Sequence, residues 1–253
     1  MKDESGKLSH HESADMTEAE FLEAYRVKDY PKPSVTADLC IFTVTDSDLK
    51  ILLIKRGGHP YKGRWALPGG FVNVGDGVKN QGESLLEAAE RELSEETSLP
   101  RGSCYLEQLY TFGDPNRDPR MRVITVAYYA LVRPDLVPLV RAADDAVEAE
   151  WFSVASLDRK TLAFDHEKVL GVAIERIQGK IDYSPIAFEL VPSTFTIPEL
   201  RAVYEAVKGS LYDPANFRRR FSRMQVDGLI VRAPGHRATK RKPTPVYRFT
   251  RKA

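Results

Sequence analysis

The chain has 253 residues, 42% of them hydrophobic and 29% charged, with a formal net charge of +1, which suits one domain of ordinary size with a smaller one beside it. It has no long apolar run, and the start Met1-Lys2-Asp3-Glu4-Ser5 leads into no apolar core, so neither a membrane span nor a signal peptide is expected, and a cytoplasmic protein is. The charge is uneven: residues 193–253 hold 14 Lys and Arg against 4 Asp and Glu, about +10, and the rest holds 23 against 32, about −9. Two differently charged modules follow, and the basic one suits a polyanion.

Residues 1–14 are polar and aperiodic, His10 and His11 included, and are expected to be disordered. Thr17-x-x-Glu20 ahead of Phe21, Leu22 and Tyr25 is a capping box that opens a helix, which Pro31 and Pro33 end. From Val35 the pattern turns to strands, at 39–44, 51–55, 105–112 and 123–132, with Thr45-Asp46-Ser47-Asp48 as the turn of a first hairpin. Cys40 and Cys104 lie in strand-like surroundings without metal-ligand spacing and read as small buried hydrophobes. Strands around a helical segment at 84–97 predict a mixed α/β sheet domain that closes near Trp151-Phe152.

The loop Arg56-Gly57-Gly58-His59-Pro60-Tyr61-Lys62-Gly63-Arg64-Trp65 puts glycines, cations and aromatic rings together. Arg56, Tyr61, Lys62 and Arg64 are candidates for holding a nucleotide phosphate and stacking a base, with Trp65 read as buried beneath the loop.

Ser84 and Glu87 form a second capping box, and Leu86, Ala89 and Leu93 are read as one apolar stripe. Glu92, Glu95 and Glu96, at i, i+3 and i+4, converge on one helical face. Such like charges repel unless a cation sits among them, and oxygen-only ligands suit Mg²⁺ bridging a carboxylate to a ligand phosphate; the alternative is a solvated acidic face.

The spacing Gly77, five residues, Glu83, seven residues, Arg91-Glu92-Leu93-Ser94-Glu95-Glu96 resembles the Nudix box. That resemblance implies Glu92, Glu95 and Glu96 as metal ligands or base, and Arg91 paired with Glu83. Two departures stand out. Ser98 occupies the place of a Gly at a left-handed helix end, at a cost of about 1 kcal/mol. An insertion within 73–81 also separates Leu67-Pro68-Gly69-Gly70-Phe71-Val72 from Gly82-Glu83, leaving Gly70 as well as Gly77 as the structural glycine. The run from Leu106 through Asp114-Pro115-Asn116-Arg117-Asp118-Pro119-Arg120 resembles ADP-ribose pyrophosphatases and a Nudix-related regulator family. ADP-ribose or a close relative is the implied ligand, with Arg91, Arg120 and Arg122 as further contacts and Asp145 or Glu148 as an extra acid.

Residues 154–180 read as helical, with Leu162, Val169, Leu170, Ala173 and Ile174 buried, and 182–193 as a linker. Thr196-x-x-Glu199 opens a helix with Leu200, Val203, Tyr204 and Val207 on one face. Asp213-Pro214 opens the next, which Gly228 closes. Phe217, Phe221 and Met224 face a core, while Asn216, Arg219, Arg220 and Arg223 are read as projecting away, as a recognition helix needs. Strand-like pieces at 229–232 and 246–250 flank a loop with His236, Arg237, Lys240, Arg241 and Lys242, completing a winged helix for DNA.

The whole order, with Leu162-Ala163-Phe164-Asp165-His166-Glu167 and Phe195-Thr196-Ile197-Pro198-Glu199-Leu200, resembles the Nudix-related transcriptional regulators. It implies a Nudix α/β/α sandwich with a mixed sheet plus a C-terminal winged helix-turn-helix: a tail and helix at 1–34, an ADP-ribose-binding domain at 35–155, a linker helix and connector at 156–193, and a DNA-binding domain at 194–253. The implied function is a homodimeric repressor of NAD-metabolism genes that binds a palindromic double-stranded operator and senses ADP-ribose. The alternative is a Mg²⁺-dependent ADP-ribose pyrophosphatase with an accessory nucleic-acid-binding domain. The complete glutamate set favours the enzyme; Ser98, the insertion and the basic wing favour the regulator. An RNA-processing protein is disfavoured by the lack of stacking aromatics on an exposed sheet.

Overall fold

Along β1 (Ser34–Thr45) the side chains alternate between two faces, and both faces are buried: Ala37, Leu39 and Ile41 on one, Cys40, Phe42 and Val44 on the other. A strand of this kind requires a sheet covered on both sides. In the computed structural model, which describes residues 16–25, 31–76, 80–139, 148–238 and 242–250, that sheet is the centre of the larger of two compact units, residues 35–253. The smaller unit, residues 1–34, contains helix α1 (Glu18–Ala24), opened by the Thr17–Glu20 capping box.

β1 turns back into β2 (Asp48–Lys55) through Asp46 and Ser47, both left-handed, the geometry of a two-residue hairpin. The sheet runs β3 (Trp65–Ala66), β2, β1, β6 (Val123–Leu131), β5 (Tyr105–Phe112), with β4 (Gly69–Phe71) on β1 and β7 (Ala149–Ser153) on β2. Thr125 bonds to Thr36 at one end of the β1–β6 pair and Val132 to Phe42 at the other, so these strands run parallel while the hairpins are antiparallel. The sheet is mixed.

Helix α2 (Leu85–Thr97) covers the first face with Ala88, Ala89 and Leu93. Leu86 does not join this stripe: it lies one position off the buried line and is 50% exposed, and Glu92 is buried instead. Helix α3 (His166–Lys180) covers the other face with Val169, Leu170, Ala173, Ile174 and Ile177. It starts later than expected, behind a 3-10 turn at Arg159–Thr161. Of the two cysteines, Cys40 is buried and Cys104 only half-buried.

The stretch expected as a linker is part of the core. Pro185–Leu190 forms a 3-10 helix whose Ile186, Ala187, Phe188 and Leu190 are buried, with Phe188 stacked on Phe249 at 4.4 Å. Beyond it α4 (Ile197–Lys208), α5 (Pro214–Val226), β8 (Ile230–Arg237) and β9 (Thr244–Phe249) build the winged helix, and Phe195 pairs with Tyr247. β8 is longer than expected and takes His236 and Arg237 out of the loop. One hydrophobic cluster runs from Phe42 and Ile51 through α3 to Phe217 and Phe221. Each such buried side chain contributes about 1.5–3 kcal/mol, so the two modules are stabilised as one body. Among the described residues no helix is long and apolar enough to cross a membrane.

Candidate functional site

The acidic helix is organised around one cation. Arg91 grips Glu83 in a fork, Nε to Oε2 at 3.1 Å and Nη2 to Oε1 at 2.7 Å. Its Nη1 donates to Glu92 at 2.7 Å and Glu95 at 3.0 Å, and Nη2 also donates to the Phe71 carbonyl at 3.1 Å. All five guanidinium donors are thereby spent. Arg91, expected among the ligand contacts, instead ties α2 to β4 and to the loop before the helix, because the acids around it leave it nothing to offer. The fork to Arg91 holds the Glu83 carboxyl down at about 2, and Glu83 also receives the Asn73 amide. Glu92 goes the other way, raised chiefly by burial against the opposing pull of Arg91.

Gly70 is what lets Glu92 reach the strand: a Cβ there would lie 2.2 Å from Glu92 Oε1. Gly77, the other candidate for the structural glycine, lies outside the described residues. The helix ends on Ser98 at φ 57° and ψ 13°, the left-handed conformation that favours Gly. Among the described residues no three His, Cys, Asp or Glu side chains stand in a metal-holding cluster; Glu92 and Glu95 meet on Arg91 rather than on an open centre with Glu96.

Beside β4 lies a cluster of cations and rings. The Arg56 guanidinium stands 4.8 Å from the Phe164 ring centroid, Arg120 6.0 Å from the same ring and 5.5 Å from Phe71. Tyr61 packs edge-on against Phe164 at 4.8 Å, with Arg64 at 5.7 Å from the Tyr61 ring. Asp118 pairs with Arg120, and the Pro60 carbonyl accepts from Arg56 Nε. Burial and then the like charge of Arg120 lower the Arg56 guanidinium from its usual value. Two guanidinium groups over one ring suit an anion and a flat group together. Lys62 and Arg122 are exposed. Trp65 is half-buried, edge-on to Phe152. Glu148 pairs with Lys55 at the surface, and Asp145 lies outside the described residues.

Phe164 was not singled out as a pocket residue from sequence. Its φ of 53° is unusual for an aromatic side chain and costs about 1–3 kcal/mol, a strain that concentrates at functional sites. Beneath it, Arg117 donates twice to Asp165, at 3.0 and 2.7 Å, and once to Asp38 at 3.2 Å, all three nearly buried. Leu67 N–H donates to His166 Nδ1 at 2.9 Å, which leaves Nε2 as the protonated nitrogen, 3.9 Å from Asp38. Burial, opposed by Asp38 and Asp165, pushes His166 down, so it is neutral. The glycine-rich segment 67–70 is thus bonded directly to the first residue of α3.

In the winged helix, Asp213 caps α5, Phe217 and Phe221 are buried, Met224 is half-buried, and Asn216, Arg219 and Arg223 are exposed, with Arg219 bonded to Asn216. Arg220 departs from the expectation. At 100° per residue it falls about 60° from Phe217, beside the core rather than opposite it, and it turns inward to Asp182, Ile181 and the Tyr204 ring. Arg237 donates to the Thr194 carbonyl at 2.6 Å and faces Glu199 at 3.3 Å, held to the start of α4 rather than carried on a loop. Lys240 and Arg241 lie outside the described residues. Lys242 lines a cavity of about 340 Å³ with Arg201, Arg218 and Tyr247. Arg218 is the exposed cation that the sequence reading passed over, although it stands in the run Arg218-Arg219-Arg220.

The NUDIX domain family matches residues 35–171, and the NrtR DNA-binding winged helix domain matches residues 187–249. The chain is 35% identical to the ADPR responsive transcriptional repressor NtrR of Acinetobacter baylyi, over 92% of this chain and 88% of that one. It is 41% identical to the ADP-ribose pyrophosphatase of Methanocaldococcus jannaschii, over 59% of this chain and 76% of the other. Shewanella oneidensis NrtR, crystallised with a 27mer DNA, superposes with a TM-score of 0.71 at 32% identity, covering 85% of this chain and 93% of that one.

Proposed function

This chain belongs to the NUDIX family, in the branch that carries an NrtR winged helix, and on that premise we propose that it is an ADP-ribose-responsive repressor of NAD-metabolism genes, acting in the cytoplasm as a homodimer on a palindromic operator. The observation that carries the reading is Phe164. It forms the floor of the cation and ring cluster and stands two residues before α3, the helix that packs on both the sheet and the winged helix. A pyrophosphate between Arg56 and Arg120, with a base or sugar against Tyr61 and Phe164, would load that joint directly. Arg64, Lys62 and Arg122 are the outer cations of the same site. Arg219, Arg223 and Asn216 on α5 and Lys242 with its neighbours Lys240 and Arg241 are the proposed DNA contacts.

Hydrolysis is the second reading, favoured by the complete set Glu92, Glu95 and Glu96 and by the pyrophosphatase relative. The donor chemistry of three carboxylates suits Mg²⁺, which would supply charge neutralisation at a pyrophosphate, although Glu92 and Glu95 are paired with Arg91 here. Glu92, Glu95 and Glu96 would hold it once the first two turn from Arg91. An electrophoretic shift on the protein's own promoter, with and without ADP-ribose, tests the repressor reading: a ligand-dependent shift supports it, and no shift in either condition refutes it. ADP-ribose turnover abolished by Glu96→Gln would support the second reading.

A further inference from the structure

The C-terminal end of α3 meets the winged helix at one carboxylate. Asp182 stands two residues past the helix; its Oδ2 accepts from Lys208 Nζ of α4 at 2.8 Å, and its Oδ1 lies 3.5 Å from Arg220 Nη1 of α5. Arg220 Nη2 donates to the Asp182 carbonyl at 3.0 Å, and the guanidinium packs 4.4 Å from the Tyr204 ring centroid. Lys208 also donates to the Gln178 carbonyl at 3.1 Å. Two cations thus satisfy carbonyls at the negative end of α3, where the helix leaves acceptors open. At the other end the same helix is held by Arg117 on Asp165 and by the Leu67 amide on His166. One rigid helix is gripped below the cation and ring cluster at one end and by both helices of the winged domain at the other.

We propose that Arg220, with Lys208, on Asp182 forms the joint that sets α5 on the end of α3 and carries the ligand's effect to it, and that Arg220 is not a DNA contact. The signalling half rests on the ADP-ribose-responsive reading above. A planar fork stacked on a ring and bonded to a carbonyl has few alternative geometries, so a displacement of α3 turns the helix that carries Arg219 and Arg223.

The test is operator titration across salt, with and without ADP-ribose, for the parent, Arg220→Gln, Asp182→Asn and Arg219→Ala, each checked for cooperative unfolding. Arg220→Lys, which keeps the charge but not the fork, replaces the Gln variant if that one does not fold. The joint predicts an unchanged salt slope for the Arg220 and Asp182 variants, whereas Arg219→Ala lowers the slope by about 0.9, one phosphate contact. It also predicts that the factor by which ADP-ribose changes operator affinity falls at least threefold in both joint variants. A slope reduced by about 0.9 in Arg220→Gln would make Arg220 a phosphate contact and overturn the assignment. An undiminished ligand response in both variants would overturn the signalling role. A parent that binds operator but ignores ADP-ribose would refute the functional reading and the signalling half with it, while the slopes still decide where Arg220 faces.

Discussion

Replacing Arg91 with Ala removes the one cation that the box helix is built around. Its side chain is 19% exposed, and the carboxylates it holds are 15% exposed at Glu83, 9% at Glu92 and 54% at Glu95. Removing one partner of a buried pair costs about 3–5 kcal/mol, because the other charge stays behind unpaired. An exposed pair such as that with Glu95 is worth about 0–1 kcal/mol. None of these groups is fully buried, which places the loss near the lower bound, about 3 kcal/mol. At about 2–4 °C per kcal/mol for a body of this size, the midpoint of thermal unfolding should fall by roughly 6–12 °C. Circular dichroism at neutral pH measures it. The variant also leaves Glu83, Glu92 and Glu95 without a counter-charge, so millimolar Mg²⁺ should raise its midpoint by more than it raises the parent's. A loss below about 2 °C would mean that the five hydrogen bonds of Arg91 are replaced by water at no cost, and the hub reading would fail.

Glu83 is held at about 2 against an ordinary 4.5, a depressed carboxylate, so its contribution is complete above the ordinary value and is lost as pH falls through about 2. Glu83→Gln should therefore flatten the acid limb of stability between pH 5 and 2, as read by urea unfolding at several pH values; an unchanged limb would place the acid sensitivity elsewhere. Arg219→Ala with Arg223→Ala should lower the salt slope of operator binding by about 1.8 in all, measured by fluorescence anisotropy, and a slope equal to the parent's would remove α5 from the DNA face. Ser98→Gly should stabilise the chain by about 1 kcal/mol, since the position is already left-handed, and a lower midpoint would show that the Ser98 side chain does something the backbone does not reveal.

The sequence made much of this legible where local chemistry decides. Capping boxes at Thr17, Ser84 and Thr196 mark three helix starts, and each is present with both reciprocal bonds. The β-rich apolar run at 39–44 and the box spacing place the sheet and α2, and Arg91 does pair with Glu83. What stayed hidden depends on long-range contacts. Arg91 could not be seen to be saturated, because one of its acceptors is the Phe71 carbonyl, twenty residues away. Arg220 reads as one more basic residue of a recognition helix until Asp182 and Tyr204 are brought beside it from 38 and 16 residues away. The segment at 185–190 looks like a connector because its apolar residues are too few and too close to Pro185 to show a period, yet they are buried. Leu86 errs the other way: it is apolar by type, and the helix phase leaves it in solvent.

On the repressor reading ligand and operator share one free energy, and linkage makes it measurable from either side: whatever factor ADP-ribose imposes on operator affinity, operator must impose on ADP-ribose affinity. Isothermal titration of ADP-ribose into the protein, alone and saturated with its operator at fixed salt, measures this directly. Release is expected, with ADP-ribose binding weaker in the presence of operator by about 5- to 150-fold, a coupling of about 1–3 kcal/mol, and with the same factor in the reverse titration. Equal affinities with and without operator would contradict it, leaving a nucleotide-binding domain and a DNA-binding domain that share a chain and a core but no signal.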